Sequence, residues 1–224
     1  MPLERIKDKS RCALLIIDMQ NDFCSLEGNM AKMGRDVTLI QEMIPNLSRL
    51  SEICRSVGIR IIFTRMVHSA WTDSPAWVDK LNSKNVRKGT WGCEFYHGFE
   101  PHETDWVVEK HRYSAFINTD LDTVLRARGI DTLMVSGVNS DQCVDATAKH
   151  AFQLDYYVLI LKDCIATNNQ ALTQAVLTMA EKSYAWVVSS KEIIEILSPL
   201  NSSRAFSIHN GDLSYRNMRL NEEG

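Results

Sequence analysis

Apolar runs of strand length recur along this chain with helical patterns between them, and that alternation leaves few folds open. The runs are Cys12 to Ile17, Arg60 to Thr64, Trp106 to Glu109, Thr132 to Ser136, Tyr157 to Leu161 and Trp186 to Ser189. Continuous apolar runs suit strands buried on both faces, whereas half-exposed strands alternate polar with apolar. Between the runs lie Leu47, Leu50, Ile53, Cys54 and Val57, after a Pro45 well placed to open a helix, and then Leu121, Val124 and Leu125. Val144, Ala148, Ala151 and Phe152 follow, and then Ala171, Ala175, Val176 and Met179. These spacings of three and four are helical. Strand followed by helix, repeated, predicts parallel pairing, because a parallel neighbour is reached through a crossover. Gly58 and Gly129 stand where C-terminal helix caps are expected. The expected fold class is α/β, a three-layer α/β/α sandwich with ligands at the carboxyl ends of the strands.

With 224 residues the chain suits one well-filled domain, placed here over residues 1–200 with a polar C-terminal tail at 201–224 that frays or lies on a neighbour. A net charge of −3 with interspersed signs offers no basic face, which argues against nucleic acid as a partner. No apolar run reaches membrane-spanning length, and the N-terminus lacks an h-region, so a cytoplasmic protein is expected. Six scattered cysteines without a CxxC pair are expected to be free thiols. Residues 71–99, from Trp71 to Phe99, have no clean period; they are a substrate lid, an oligomer contact or a surface excursion.

Polar residues that end apolar strands are the candidates for chemistry in such a fold. Asp18 ends Ala13-Leu-Leu-Ile-Ile17, and Lys110 ends Trp106-Val-Val-Glu109. Cys143 follows Leu133-Met-Val-Ser136 across the Gly137 turn, in the first turn of the next helix. A helix N-terminus stabilises an anion, so that position is expected to lower the thiol pKa. Lys110 would favour the thiolate and a developing oxyanion, and Asp18 could take the thiol proton and return it to a leaving amine. Taken singly, Asp18 also reads as a turn cap, Lys110 as a solvated strand end and Cys143 as a small core residue; their joint placement favours a nucleophilic site.

Leu15-Ile-Ile-Asp18-Met-Gln20-Asn-Asp-Phe23, Lys110-His-Arg-Tyr-Ser114-Ala-Phe116 and Ser136-Gly-Val-Asn-Ser-Asp-Gln-Cys143-Val closely resemble the three signature blocks of the isochorismatase-like cysteine hydrolases. The resemblance runs from about Ala13 to Ser189. It implies an Asp18-Lys110-Cys143 triad on a six-stranded, mainly parallel sheet, amide or carbamoyl hydrolysis through a covalent thioester, and a homo-oligomer, dimer or tetramer. It further implies a cis peptide bond at Val138-Asn139, which would aim the Asn139 N–H, with that of Cys143, at the oxyanion. Lys88-Gly-Thr-Trp91 and the run from Arg112 to Thr119 look most like the ureidoacrylate and carbamoyl-amide hydrolases. The expected partner is therefore a small amide or ureido substrate that releases ammonia.

Gln20, Phe23, Trp91, Arg112, Tyr113 and Phe116, with Asn139, are the expected substrate contacts, the aromatic ones as walls for a small planar amide. The reading calls for no cofactor and no metal: the nicotinamidase-type Asp-x-His pair is missing, and His68, His97 and His102 read as surface or capping residues. His111 directly follows Lys110 and would point to the opposite face of the strand. The alternatives are an isochorismatase-type vinyl ether hydrolase, a catalytically idle binding or assembly homologue, and a redox thiol with Cys164 as its resolving partner. Cys143 at a helix start favours acyl chemistry over the first of these.

Overall fold

The computed structural model describes residues 2–81 and 84–198. Its centre is a six-stranded sheet of β1 (Cys12–Ile17), β2 (Arg60–Met66), β3 (Trp106–Lys110), β4 (Thr132–Val138), β5 (Tyr157–Ala166) and β6 (Trp186–Val188), in the order β3-β2-β1-β4-β5-β6. Every pairing is parallel. The helices are α1 (Pro2–Arg5), α2 (Asn21–Cys24), α3 (Asn29–Lys32), α4 (Thr38–Ser56), α5 (Pro75–Leu81), α6 (Leu121–Ala127), α7 (Asp145–Gln153), α8 (Gln170–Ser183) and α9 (Ser190–Leu197). The three-layer α/β fold is the one the alternation predicts. No described helix is long and apolar enough to cross a membrane, and the tail at 201–224 lies outside the described residues.

The strand order explains the burial. β1 and β4 occupy the middle of the sheet, and every residue of both is buried, whereas the edge strands β3 and β6 keep exposed positions. The chain winds outward from β1 to β3, then returns to β4 on the other side of β1 and winds outward again to β6. Such a reversal leaves a crevice beyond the carboxyl ends of the two strands where the winding changes direction. Asp18 follows one of those strands and the segment carrying Cys143 follows the other.

Two local details depart from expectation. Pro45 does not open its helix: α4 begins at Thr38, with Pro45 inside it. An interior proline removes one helical hydrogen bond and crowds the preceding turn, but Ile40 and Met43 extend the buried stripe of Leu47, Leu50 and Cys54, and that burial offsets the defect. The last strand ends at Val188, where Ser189 begins a capping box: its hydroxyl accepts from the Glu192 N–H while Glu192 accepts from the Ser189 N–H. α9 follows, with Ile193 and Leu197 buried. Gly58 and Gly129 do close their helices in the left-handed conformation, at φ 82° and 67°.

Candidate active site

β1 and β4 approach so closely at their ends that one position admits only glycine. A Cβ on Gly137 would lie 2.1 Å from the Ile17 carbonyl oxygen, and its φ of 104° is one that L-residues avoid. Asp18, next after Ile17, takes a left-handed conformation (φ 50°) that ends β1 and turns the carboxylate across the sheet edge. Its backbone N–H donates to the Thr64 carbonyl, and the Thr64 hydroxyl donates to Oδ1 at 2.6 Å.

Lys110 comes from two strands away. Neighbouring strands lie about 4.8 Å apart, so β3 stands roughly 10 Å from β1, and the long lysine arm crosses the end of β2 to reach Asp18. The ammonium nitrogen is 2.6 Å from Asp18 Oδ2, with both side chains fully buried. It also donates to the Arg112 and Tyr113 carbonyls at 3.2 Å each. Burial works against the charged lysine, but Asp18 and Cys143 outweigh it and hold the Lys110 pKa above its ordinary value.

Cys143 lies on a wide helical turn, Ser140–Val144, that runs directly into α7. The Val138–Asn139 bond before that turn is cis. The expectation of a lowered thiol pKa is overturned: burial pushes Cys143 up, Lys110 draws it back only in part, and Asp18 adds to the rise by charge and hydrogen bond. At a site 3% exposed, loss of hydration outweighs the field of one helix terminus. The resting group is a thiol beside the Asp18–Lys110 pair.

Cys143 opens on a cavity of about 80 Å³. Of the residues proposed as substrate contacts, Phe23, Tyr113 and Asn139 line it, together with His68, Trp77 and Gln142. Residues 71–99 supply one wall through Trp77, Leu81, Asn85 and Val86, and Asp22 fixes that wall by accepting from the Val86 N–H at 2.6 Å and the Asn29 N–H at 3.0 Å. Tyr113 packs on Trp77 with ring centroids 4.9 Å apart. Asn139 is 5% exposed, and its side-chain oxygen has no hydrogen-bond partner among the described residues.

Four expected substrate contacts lie elsewhere. Gln20 is fully buried and serves the backbone: it donates to the Met66 and Cys93 carbonyls at 2.9 and 2.7 Å and accepts from the Met66 N–H at 2.8 Å. Arg112 donates to the Thr72 and His111 carbonyls and lies over Trp77, behind the cavity wall. Phe116 packs on His150 and Tyr156, and Trp91, half exposed, offers only its carbonyl, to Asn21. His68 is not a surface residue: it is 5% exposed in the cavity wall, 2.9 Å from Asp73. Burial lowers its pKa although Asp73 pulls the other way, so the ring is neutral at pH 7. His111 turns to the Val67 carbonyl, at 2.7 Å. No three His, Cys, Asp or Glu side chains gather at metal-binding geometry among the described residues, and all six cysteines are free and buried.

A buried acid–cation pair and a thiol that opens on a small cavity thus meet at the switch point of a parallel sheet. The isochorismatase domain matches residues 12–192, and the chain belongs to that family. A ureidoacrylate amidohydrolase RutB of Pseudomonas syringae pv. syringae is 31% identical over 206 residues, 84% of each chain. One of Variovorax paradoxus is 30% identical over 208 residues, 85% of this chain and 82% of the relative. Among solved structures, N-carbamoylsarcosine amidase of Thermoplasma acidophilum superposes with a TM-score of 0.69 at 28% identity, over 80% of this chain and 96% of that one. A cysteine hydrolase of Pseudomonas syringae pv. phaseolicola, at 24% identity over 84% and 93% of the chains, shares the fold with a TM-score of 0.75. The protein is a hydrolase of carbon–nitrogen bonds other than peptide bonds.

Proposed function

We propose that this protein hydrolyses a small ureido or carboxamide substrate through a thioester on Cys143, with release of ammonia. The observation that carries the reading is the buried Asp18–Lys110 pair, 2.6 Å apart, beside a thiol that faces the cavity. The Asp18 carboxylate faces the ammonium through Oδ2 and is hydrogen-bonded to the thiol, so it stands where it can take the thiol proton. The proton passes to Asp18 as sulfur attacks, and Lys110 balances the negative charge that builds on sulfur and oxygen. The N–H groups of Asn139 and Cys143 hold the oxyanion. The carbon–nitrogen bond then breaks, Asp18 returns its proton to the leaving nitrogen, and ammonia departs. Asp18 next takes a proton from water as its oxygen attacks the thioester carbonyl; the carbon–sulfur bond breaks, the acid product leaves, and Asp18 gives the proton to the sulfur, restoring the thiol.

Two features support a small ureido or amide substrate. The cavity is far smaller than the several hundred Å³ typical of drug-sized ligands. The unpartnered Asn139 oxygen is an acceptor that a substrate N–H would satisfy. The relatives named ureidoacrylate amidohydrolase and N-carbamoylsarcosine amidase agree with that class.

The test is ammonia release over ureidoacrylate, carbamoyl amino acids, biuret, maleamate and nicotinamide, with isochorismate as the vinyl ether control. Cys143→Ala should abolish turnover while the circular dichroism spectrum and urea midpoint stay close to wild type. Acid quenching of the wild type during turnover should show an acyl adduct on the Cys143 peptide. Substantial ammonia release by the variant overturns the covalent mechanism.

A further inference from the structure

The cavity wall carries one formally charged side chain. The Asp18 and Lys110 charges offset each other beneath the floor, His68 is neutral at pH 7, and among the lining residues only Arg35 brings an unbalanced charge. Arg35 follows the left-handed Gly34, and its N–H donates to the Met30 carbonyl at 3.2 Å, so the chain is pinned where the side chain departs. The guanidinium forms no hydrogen bond or ion pair among the described residues. Its sequence neighbour Asp36 is engaged in accepting from the Thr38 N–H at 2.8 Å. Arg35 is exposed whereas Cys143 is buried, which places the cation at the open end of the cavity and the thiol at the closed end. Tyr113 lies within electrostatic reach of both. Phe23, Met30, Met33 and Trp77 give the same cavity apolar lining beside its polar groups.

We propose that Arg35 selects substrates in which a short apolar spacer joins the cleaved ureido or amide group to a carboxylate. The inference rests on the amide-hydrolase reading for its reaction and on the charge of the cavity for its specificity. A guanidinium meets a carboxylate through two parallel N–H donors, and an exposed cation at the cavity mouth attracts an anion before contact, while the Asp141 carboxylate lies within electrostatic reach of Tyr113. Substrates with a neutral end forgo both. The limited volume keeps the spacer to a few atoms. Arg112, expected as a substrate contact, is instead engaged with the Thr72 and His111 carbonyls.

The measurement is kcat/KM for 3-ureidoacrylate relative to its methyl ester, in wild type, Arg35→Gln and Arg35→Lys. Losing one charge-assisted contact predicts that the acid-to-ester ratio falls on the order of 10- to 100-fold in Arg35→Gln, mainly through KM, with Arg35→Lys between. A ratio unchanged in Arg35→Gln overturns the assignment, whether both substrates fall together or neither does. A second measurement needs no turnover: the rate at which iodoacetamide alkylates Cys143, with 3-ureidopropionate as protectant. Arg35→Gln should need about tenfold or more protectant than wild type. Equal protection of the two proteins also overturns it. Protection that depends on Arg35, in a wild type that hydrolyses no amide, would uphold the anion site and refute the proposed reaction.

Discussion

The buried pair of Asp18 and Lys110 makes a quantitative prediction about folding that is separate from catalysis. Two unit charges 2.6 Å apart attract by about 6 kcal/mol at an effective dielectric of 20. Much of that is offset by the hydration both groups lose, since neither side chain retains any exposure. Lys110→Met keeps most of the volume but leaves a buried carboxylate with only the Thr64 hydroxyl and no cation. It also strips the donor from the Arg112 and Tyr113 carbonyls. The expected loss is about 3–5 kcal/mol at pH 7. Asp18→Asn strands the ammonium instead, but the same two carbonyls still solvate it, so its loss should lie near 3 kcal/mol. Removing both charges relieves both orphans, and Asp18→Asn/Lys110→Met should fall within about 2 kcal/mol of wild type.

Urea unfolding by linear extrapolation, with m compared across the four proteins, reads these differences directly. A double variant more stable than either single one is the signature of the buried pair. Losses below about 1 kcal/mol in both single variants, or a double variant whose loss equals their sum, would refute the claim that the charges are desolvated and coupled. All three variants should lack turnover, so stability rather than activity identifies the pair.

Gln20→Leu should lower unfolding stability by about 3 kcal/mol, because it strips the Gln20 partner from the Met66 N–H and the Cys93 carbonyl and leaves the Met66 carbonyl only the weak Cys93 thiol donor. A variant within 1 kcal/mol of wild type by urea unfolding would show that Gln20 does not hold that backbone. Alkaline stability should fall because burial raises thiols from an ordinary 9.0 to about 12 in Cys12 and Cys54 and to about 11 in Cys93. Below pH 9 these thiols are protonated in both states and their contribution is complete; above it the unfolded chain ionises first, and the contribution is lost up to each folded value. Cys54→Ala should therefore have a shallower stability decline between pH 9 and 11, by roughly 1 kcal/mol per pH unit, and equal slopes would sink the assignment.

What could be read ahead of the structure was what local pattern determines. Continuous apolar runs marked six of the strands' cores, and a parallel sheet brings strand ends together, so Asp18, Lys110 and Cys143 converged on paper as they do in space. Side chains whose targets are set by distant loops were misplaced. Gln20 also ends a polar step after β1, yet its partners, residues 66 and 93, are brought beside it by the chain's later return. Arg35 had no strand end or spacing to single it out; it matters because α3 and residues 71–99 close on the same cavity. The α9 signal was present as Ser189 and Glu192, three apart, but the apolar run before it drew Ser189 into the strand.

The misjudged thiol pKa bears on how such a site works. A helix terminus alone would stabilise a thiolate in an exposed groove, but here the sulfur must be dry if the Asp18–Lys110 field is to act at full strength on the reacting carbonyl. Burial removes water from the nucleophile and raises its pKa in the same act, so a standing thiolate and a strong field are competing demands. In the proposed reaction, a base and a cation placed together against the sulfur would reconcile them: the proton would move only as a substrate carbonyl accepts the negative charge, which Lys110 would balance. Alkylation of Cys143 at pH 7 should consequently depend on Asp18. Asp18→Asn leaves Lys110 unopposed beside the sulfur and should speed labelling by iodoacetamide; a variant labelled no faster than wild type would show that the resting group is a thiolate after all.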